Sequence, residues 1–140
     1  MKGRPRIMNI LVVFVFLFSA LGALPTPIMA QTVTEPVINE FSASTTGTDV
    51  EYVEIYGDPD TDYAAYTVLE IEGDGDGAGV IDEVMAVGTT DTNGLYLIDL
   101  AANALENGTI TLLLVKDFTS ALGEDLDTDN DGVLDVEPWS

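Results

Sequence analysis

Beyond residue 36 the chain is written in short alternations. "EYVEIYG" (51–57) sets Tyr52, Glu54 and Tyr56 on one side and Val53 and Ile55 on the other. A period of two marks a half-buried strand, because successive side chains point to opposite faces of a sheet. Comparable apolar runs occupy "VINEF" (37–41), "YTVLEIE" (66–72), "VIDEVMAV" (80–87), "LYLIDL" (95–100) and "TITLLLV" (109–115). Turn-forming residues separate them, among them "GDGDGAG" (73–79), Asn93-Gly94 and Asn107-Gly108. Asn-Gly favours a turn because both residues tolerate positive φ. Only "LAANALEN" (100–107) admits a helix, of about two turns at most. Six short strands divided by turns predict an all-β sandwich or barrel. The buried stripe is expected to include Val53, Ile55, Val68, Leu97, Leu112 and Leu114.

The first 30 residues follow a different pattern. Lys2, Arg4 and Arg6 precede an apolar run, Ile10 to Leu24, broken only by Ser19 and Gly22. Pro25 and Pro27 end the run, and "PIMAQ" offers cleavage after Ala30. This is the shape of a secretory signal. The run falls short of the roughly 20 apolar residues that a spanning helix needs. Residues 1–30 therefore read as a signal peptide with a helical apolar core, the alternative being an uncleaved membrane anchor, and 31–36 as an extended linker. The mature protein is expected to be secreted or at the cell surface, meeting the membrane only through the signal segment before cleavage.

Charge sharpens that picture. Three of the four basic residues lie within the first 30, and all 25 acidic residues lie beyond, so residues 31–140 set Lys116 against 25 carboxylates, a net charge of −24. Nucleic-acid binding depends on Lys and Arg neutralising phosphates, so such a chain repels it. It attracts divalent cations instead. There is no His and no Cys, which removes the usual general base, the thiolate nucleophile and any disulfide staple. No Gly-Lys-Ser/Thr phosphate cradle occurs. No catalytic residue is predicted, and the chain does not read as an enzyme.

Three segments in order resemble the bacterial lamin-tail domain family: "VINEF" (37–41), "EYVEIYG" (51–57) and "DYAAYTVLEI" (62–71). The family pattern has a strand bearing Asn-Glu, then a strand of alternating acid, aromatic and aliphatic residues, then a turn and a Tyr-Thr-led strand. Gly57 stands where Asn is usual, and the Gly-rich hairpin at 73–79 is more acidic than the pattern. The resemblance spans roughly residues 36–115. It implies an immunoglobulin-like β-sandwich over 37–117, whole or incomplete at the C-terminus. It also implies a noncatalytic domain of the kind attached to secreted nucleases and phosphatases.

The remaining segment, 118–140, holds a second motif. In "DTDNDGVLD" the acids Asp127, Asp129 and Asp131 fall at positions 1, 3 and 5 of a calcium loop. Gly132 takes position 6, where the chain turns sharply. Val133 at position 7 would offer its backbone carbonyl, and Asp135 stands at position 9. Calcium (Ca2+) suits such a loop because a hard cation takes six to eight oxygens at about 2.3–2.6 Å. Asp125 is an additional candidate ligand. Position 12 is Pro138, so the bidentate Glu of an EF-hand is missing. The segment resembles the solitary calcium loops of thrombospondin type-3 and dockerin repeats. Without the bidentate ligand, a Kd on the order of 10⁻⁴–10⁻³ M is expected. The expected protein is thus a secreted, noncatalytic, calcium-stabilised β-sandwich for adhesion or accessory binding, its protein or glycan partner not specified by the residues. The alternative is the N-terminal accessory fragment of a larger secreted nuclease or phosphatase.

Overall fold

The structure, a computed structural model, describes residues 35–140. The signal peptide expected at 1–30 and most of the linker lie outside the described residues. Among the described residues there are six strands: β1 (Val37–Ser42), β2 (Glu51–Tyr56), β3 (Tyr66–Glu72), β4 (Ile81–Ala86), β5 (Leu95–Leu100) and β6 (Ile110–Lys116). Each coincides with one of the predicted runs to within a residue or so at either end. They form two antiparallel three-stranded sheets, ordered β1-β2-β5 and β4-β3-β6. The described residues therefore form an all-β fold. The described residues contain no helix long and apolar enough to cross a membrane.

Hairpins join β1 to β2 and β3 to β4 within their sheets, whereas the other three connections pass from one sheet to the other. Asn93-Gly94 lies on one such crossing. Gly94 turns there at φ +83°, and the Asp91 carboxylate accepts the amides of Asn93 at 2.7 Å and Leu95 at 3.0 Å. Both sheets contribute to one apolar cluster. Val53 and Ile55 of β2 meet Val68 of β3 and Met85 of β4, with Tyr63, Val87 and Leu105 supplied by connections.

Two expectations are corrected. Leu97 is half exposed. "LYLIDL" is apolar on both parities, so periodicity alone does not choose its inner face. The register does: Ile98 pairs with buried Val53, and Leu97 pairs with outward-facing Glu54. Residues 100–107 form turns rather than a helix. Asn103 sits at φ +60°, and Ala104 donates to the carbonyl of Ala101 at 3.1 Å. Left-handed backbone at Asn103 is incompatible with a continuing right-handed helix.

The central strand β3 is covered on both faces. Val68 joins the cluster between the sheets, while Leu69 and Ile71 join Ile81, Val115 and Leu126 in a second one. Phe118, Leu134 and Trp139 pack against this second cluster. The acidic C-terminal segment thus lies over the outer face of the β4-β3-β6 sheet, with its few apolar side chains facing in. Backbone bonds hold it there: Ile81 N–H to Glu124 O at 2.9 Å, Leu126 N–H to Gly79 O at 3.0 Å and Ser140 N–H to Lys116 O at 2.9 Å.

Candidate metal centre

The acidic loop begins where the chain leaves the apolar cluster. Leu126 is fully buried and the next residue, Asp127, is only 5% exposed. An ionised carboxylate so placed needs donors or a cation. Asp127 has backbone donors: its Oδ1 accepts Asp131 N–H at 3.2 Å and its Oδ2 accepts Gly132 N–H at 2.9 Å. Those bonds fold the chain back over Asp127. The fold requires left-handed backbone at Asn130 (φ +55°) and Gly132 (φ +85°). Gly132 stands at the place in the motif where the turn was expected.

The closure gathers Asp127, Asp129 and Asp135, whose nearest carboxylate oxygens all lie within 4.8 Å of one another. Asp135 is oriented by Thr128, whose amide and hydroxyl donate to its Oδ2 at 3.0 and 2.6 Å. Of the predicted ligands, these three come together as a group. Asp125 and Asp131 lie outside it, each accepting an amide two residues ahead: Asp127 N–H at 3.0 Å and Val133 N–H at 2.9 Å. Val133 is exposed. Each oxygen of an ionised carboxylate can accept more than one contact, so the amide bonds to Asp127 leave room for a cation. Three hard oxygen donors without nitrogen or sulfur suit calcium or magnesium rather than zinc.

The loop also leans on the hairpin between β3 and β4. A Cβ added at Gly79 would stand 2.7 Å from Asp127 Cβ and 3.1 Å from its backbone nitrogen, and Gly79 is itself at φ +90°. Only glycine allows that approach together with that backbone conformation.

A second acidic group draws on the stretch 72–83, where Asp74, Asp76 and Asp82 alternate, and adds Glu106 from outside it. Glu72, at the end of β3, Asp82 in β4 and Glu106 in the β5–β6 connection bring carboxylate oxygens within 4.8 Å of one another. Asp74 and Asp76 stay outside the group, and Asp74 instead accepts Thr109 N–H at 3.1 Å. The group's signal was an acid at an inward strand position: Glu70 shares the parity of Val68 and is fully buried. Its Oε1 accepts Glu106 N–H at 2.9 Å. Burial raises the Glu70 pKa, with Asp82, Glu83 and Glu72 adding to the effect. Glu106 is pushed up to about 6, first by its carboxyl–carboxyl contact with Glu72.

Comparison with protein-family models, curated proteins and solved structures returned no match.

Proposed function

We propose that the chain is a secreted, noncatalytic, calcium-stabilised β-sandwich of immunoglobulin-like, lamin-tail-like kind, acting as an adhesion or accessory module. The observation that carries the calcium reading is the closed loop: three carboxylates converge where Asp127 is buried and Gly132 makes the turn. The loop is continuous with the apolar cover of the β4-β3-β6 sheet through Leu126 and Leu134. An ion there neutralises charge at the point where the cover is anchored, so binding energy becomes folding energy. Two antiparallel sheets sharing one apolar cluster support the sandwich reading. The −24 charge of residues 31–140 and the absence of His and Cys support a binding role over a catalytic one.

Thermal unfolding tests the calcium component. A ligand that binds only the folded state stabilises it by RT ln(1 + [L]/Kd). With Kd near ~1 mM and ~10 mM calcium, that is roughly 1.4 kcal/mol, a rise of several degrees in Tm. Asp127→Asn with Asp129→Asn should cut that rise, and Asp74→Asn with Asp76→Asn should leave it. Equal responses from both double variants and the unaltered protein would mean that the loop binds no ion.

A further inference from the structure

We propose that Glu72, Asp82 and Glu106 form a second calcium site beside Glu70, whose Oε1 holds the Glu106 amide, at the end of the β4-β3-β6 sheet where β3 runs out. The site shares no residue with the C-terminal loop and stands or falls independently of it.

The geometry is specific. Glu70 and Glu72 lie on the same side of β3, two residues apart. The pairing of β3 with β4 is irregular between Glu70 and Ile71: Glu70 is opposite Glu83 and Ile71 is opposite Ile81. Asp82 is thus the extra residue of a bulge, and bulges re-aim side chains. Asp82 carries its carboxylate to Glu72. Glu106 arrives from the other side, its backbone N–H tied to Glu70 Oε1.

The observation that points to a ligand is Glu70 Oε2. It is buried, on a residue with no exposed surface, and has no hydrogen-bond partner. Buried polar atoms are rarely left this way, because an unsatisfied group bears its full desolvation cost. Glu72 makes a complementary case. Its Oε1 is taken by the amides of Gly73 and Asp74, both at 3.0 Å, and among the described residues no side chain is placed to supply a positive charge there. Among the described residues the one basic side chain is Lys116, paired with Tyr66 at the opposite end of β3, where its Nζ lies 5.7 Å from the Tyr66 ring centre. Six residues of strand span about 20 Å. Three convergent carboxylates beside a buried, orphaned Glu70 oxygen, with no cation supplied among the described residues, call for one from solvent. An all-oxygen, all-carboxylate set of this charge fits calcium.

Calcium counting settles the matter. The purified protein is dialysed to equilibrium against millimolar calcium in ~0.15 M NaCl, which shortens diffuse electrostatic attraction to about 8 Å. The expected content is two ions per chain. Glu72→Gln with Glu106→Gln should lower it to one while leaving the loop's ion in place, and Asp127→Asn with Asp129→Asn should lower it to one by removing the other. Asp82→Asn, an exposed and conservative change, gives an independent check and should weaken the same ion as the Glu72/Glu106 pair. A single ion that is lost with Asp127/Asp129 and untouched by Glu72/Glu106 overturns this proposal while sparing the loop. A single ion with the reverse dependence overturns the loop reading while sparing this one. If Glu72→Gln with Glu106→Gln changes only the pH dependence of stability and no calcium content, the carboxylates share protons rather than calcium, and the proposal fails.

Discussion

Glu51 shows what one residue does in a chain this acidic. It is 1% exposed and accepts three successive amides, Asn103 at 2.8 Å, Ala104 at 2.8 Å and Leu105 at 2.7 Å. The carboxylate thereby closes the 101–105 turn and delivers Leu105, fully buried, into the cluster between the sheets. Bonds to a charged group are worth about 1.5–3 kcal/mol each, and the donors left behind bear their own desolvation cost. Glu51→Ala should therefore cost about 3 kcal/mol or more, read as a lower urea midpoint at unchanged slope. Glu51→Gln keeps one acceptor and should fall between. A variant as stable as the parent would mean that water replaces the carboxylate. Alternation alone placed Glu51 on the same side as Val53 and Ile55, so its inward direction was legible. Its role was not, because its three partners lie more than fifty residues away and belong to a stretch whose residue types allow a helix.

At the scale of elements, strands were readable and their surroundings were not. The six runs matched β1 to β6 because each alternates or ends on turn residues, signals that act within a few residues. That β3 is covered twice was hidden. Its outer cover comes from a segment dominated by charge, in which Leu126, Leu134 and Trp139 are too widely spaced to look like an element. The metal candidates divide in the same way. Asp127, Asp129 and Asp135 share one loop, so spacing revealed them. Glu72, Asp82 and Glu106 come from three elements, and only the fold assembles them. The cover's contribution can be measured at Leu126, which packs with Leu69, Ile71 and Ile81. Leu126→Ala should cost about 3 kcal/mol, the usual range for a buried leucine being about 2–5. Leu122→Ala, in the same segment but 62% exposed, should change stability by less than about 0.5 kcal/mol. Equal effects from the two would show that the segment does not hold the sheet.

The whole molecule poses a problem of charge. Residues 31–140 carry a net −24, and self-repulsion of that size disfavours any compact state. Diffuse screening and site binding both relieve it, and they differ in what they depend on. Screening depends on ionic strength: the Debye length falls from about 30 Å at 0.01 M to about 3 Å at 1 M salt. Raising NaCl over that range should therefore raise Tm, and by the same amount in the parent and in Asp127→Asn/Asp129→Asn, because removing two charges from so many alters the long-range repulsion little. Site binding depends on ligand geometry. At fixed ~0.15 M NaCl, a few millimolar calcium adds little screening yet should still raise Tm in the parent. Magnesium at the same concentration has the same charge but demands near-ideal octahedral coordination at about 2.0–2.1 Å and gives up its waters reluctantly. Calcium accepts flexible, irregular oxygen geometry that magnesium does not, so magnesium should produce only a small part of the calcium shift. If magnesium and calcium stabilise equally, and the Asp127/Asp129 variant follows the parent in both, the acidic segment acts through its charge density alone and its apolar residues, not an ion, fasten it to the sheet.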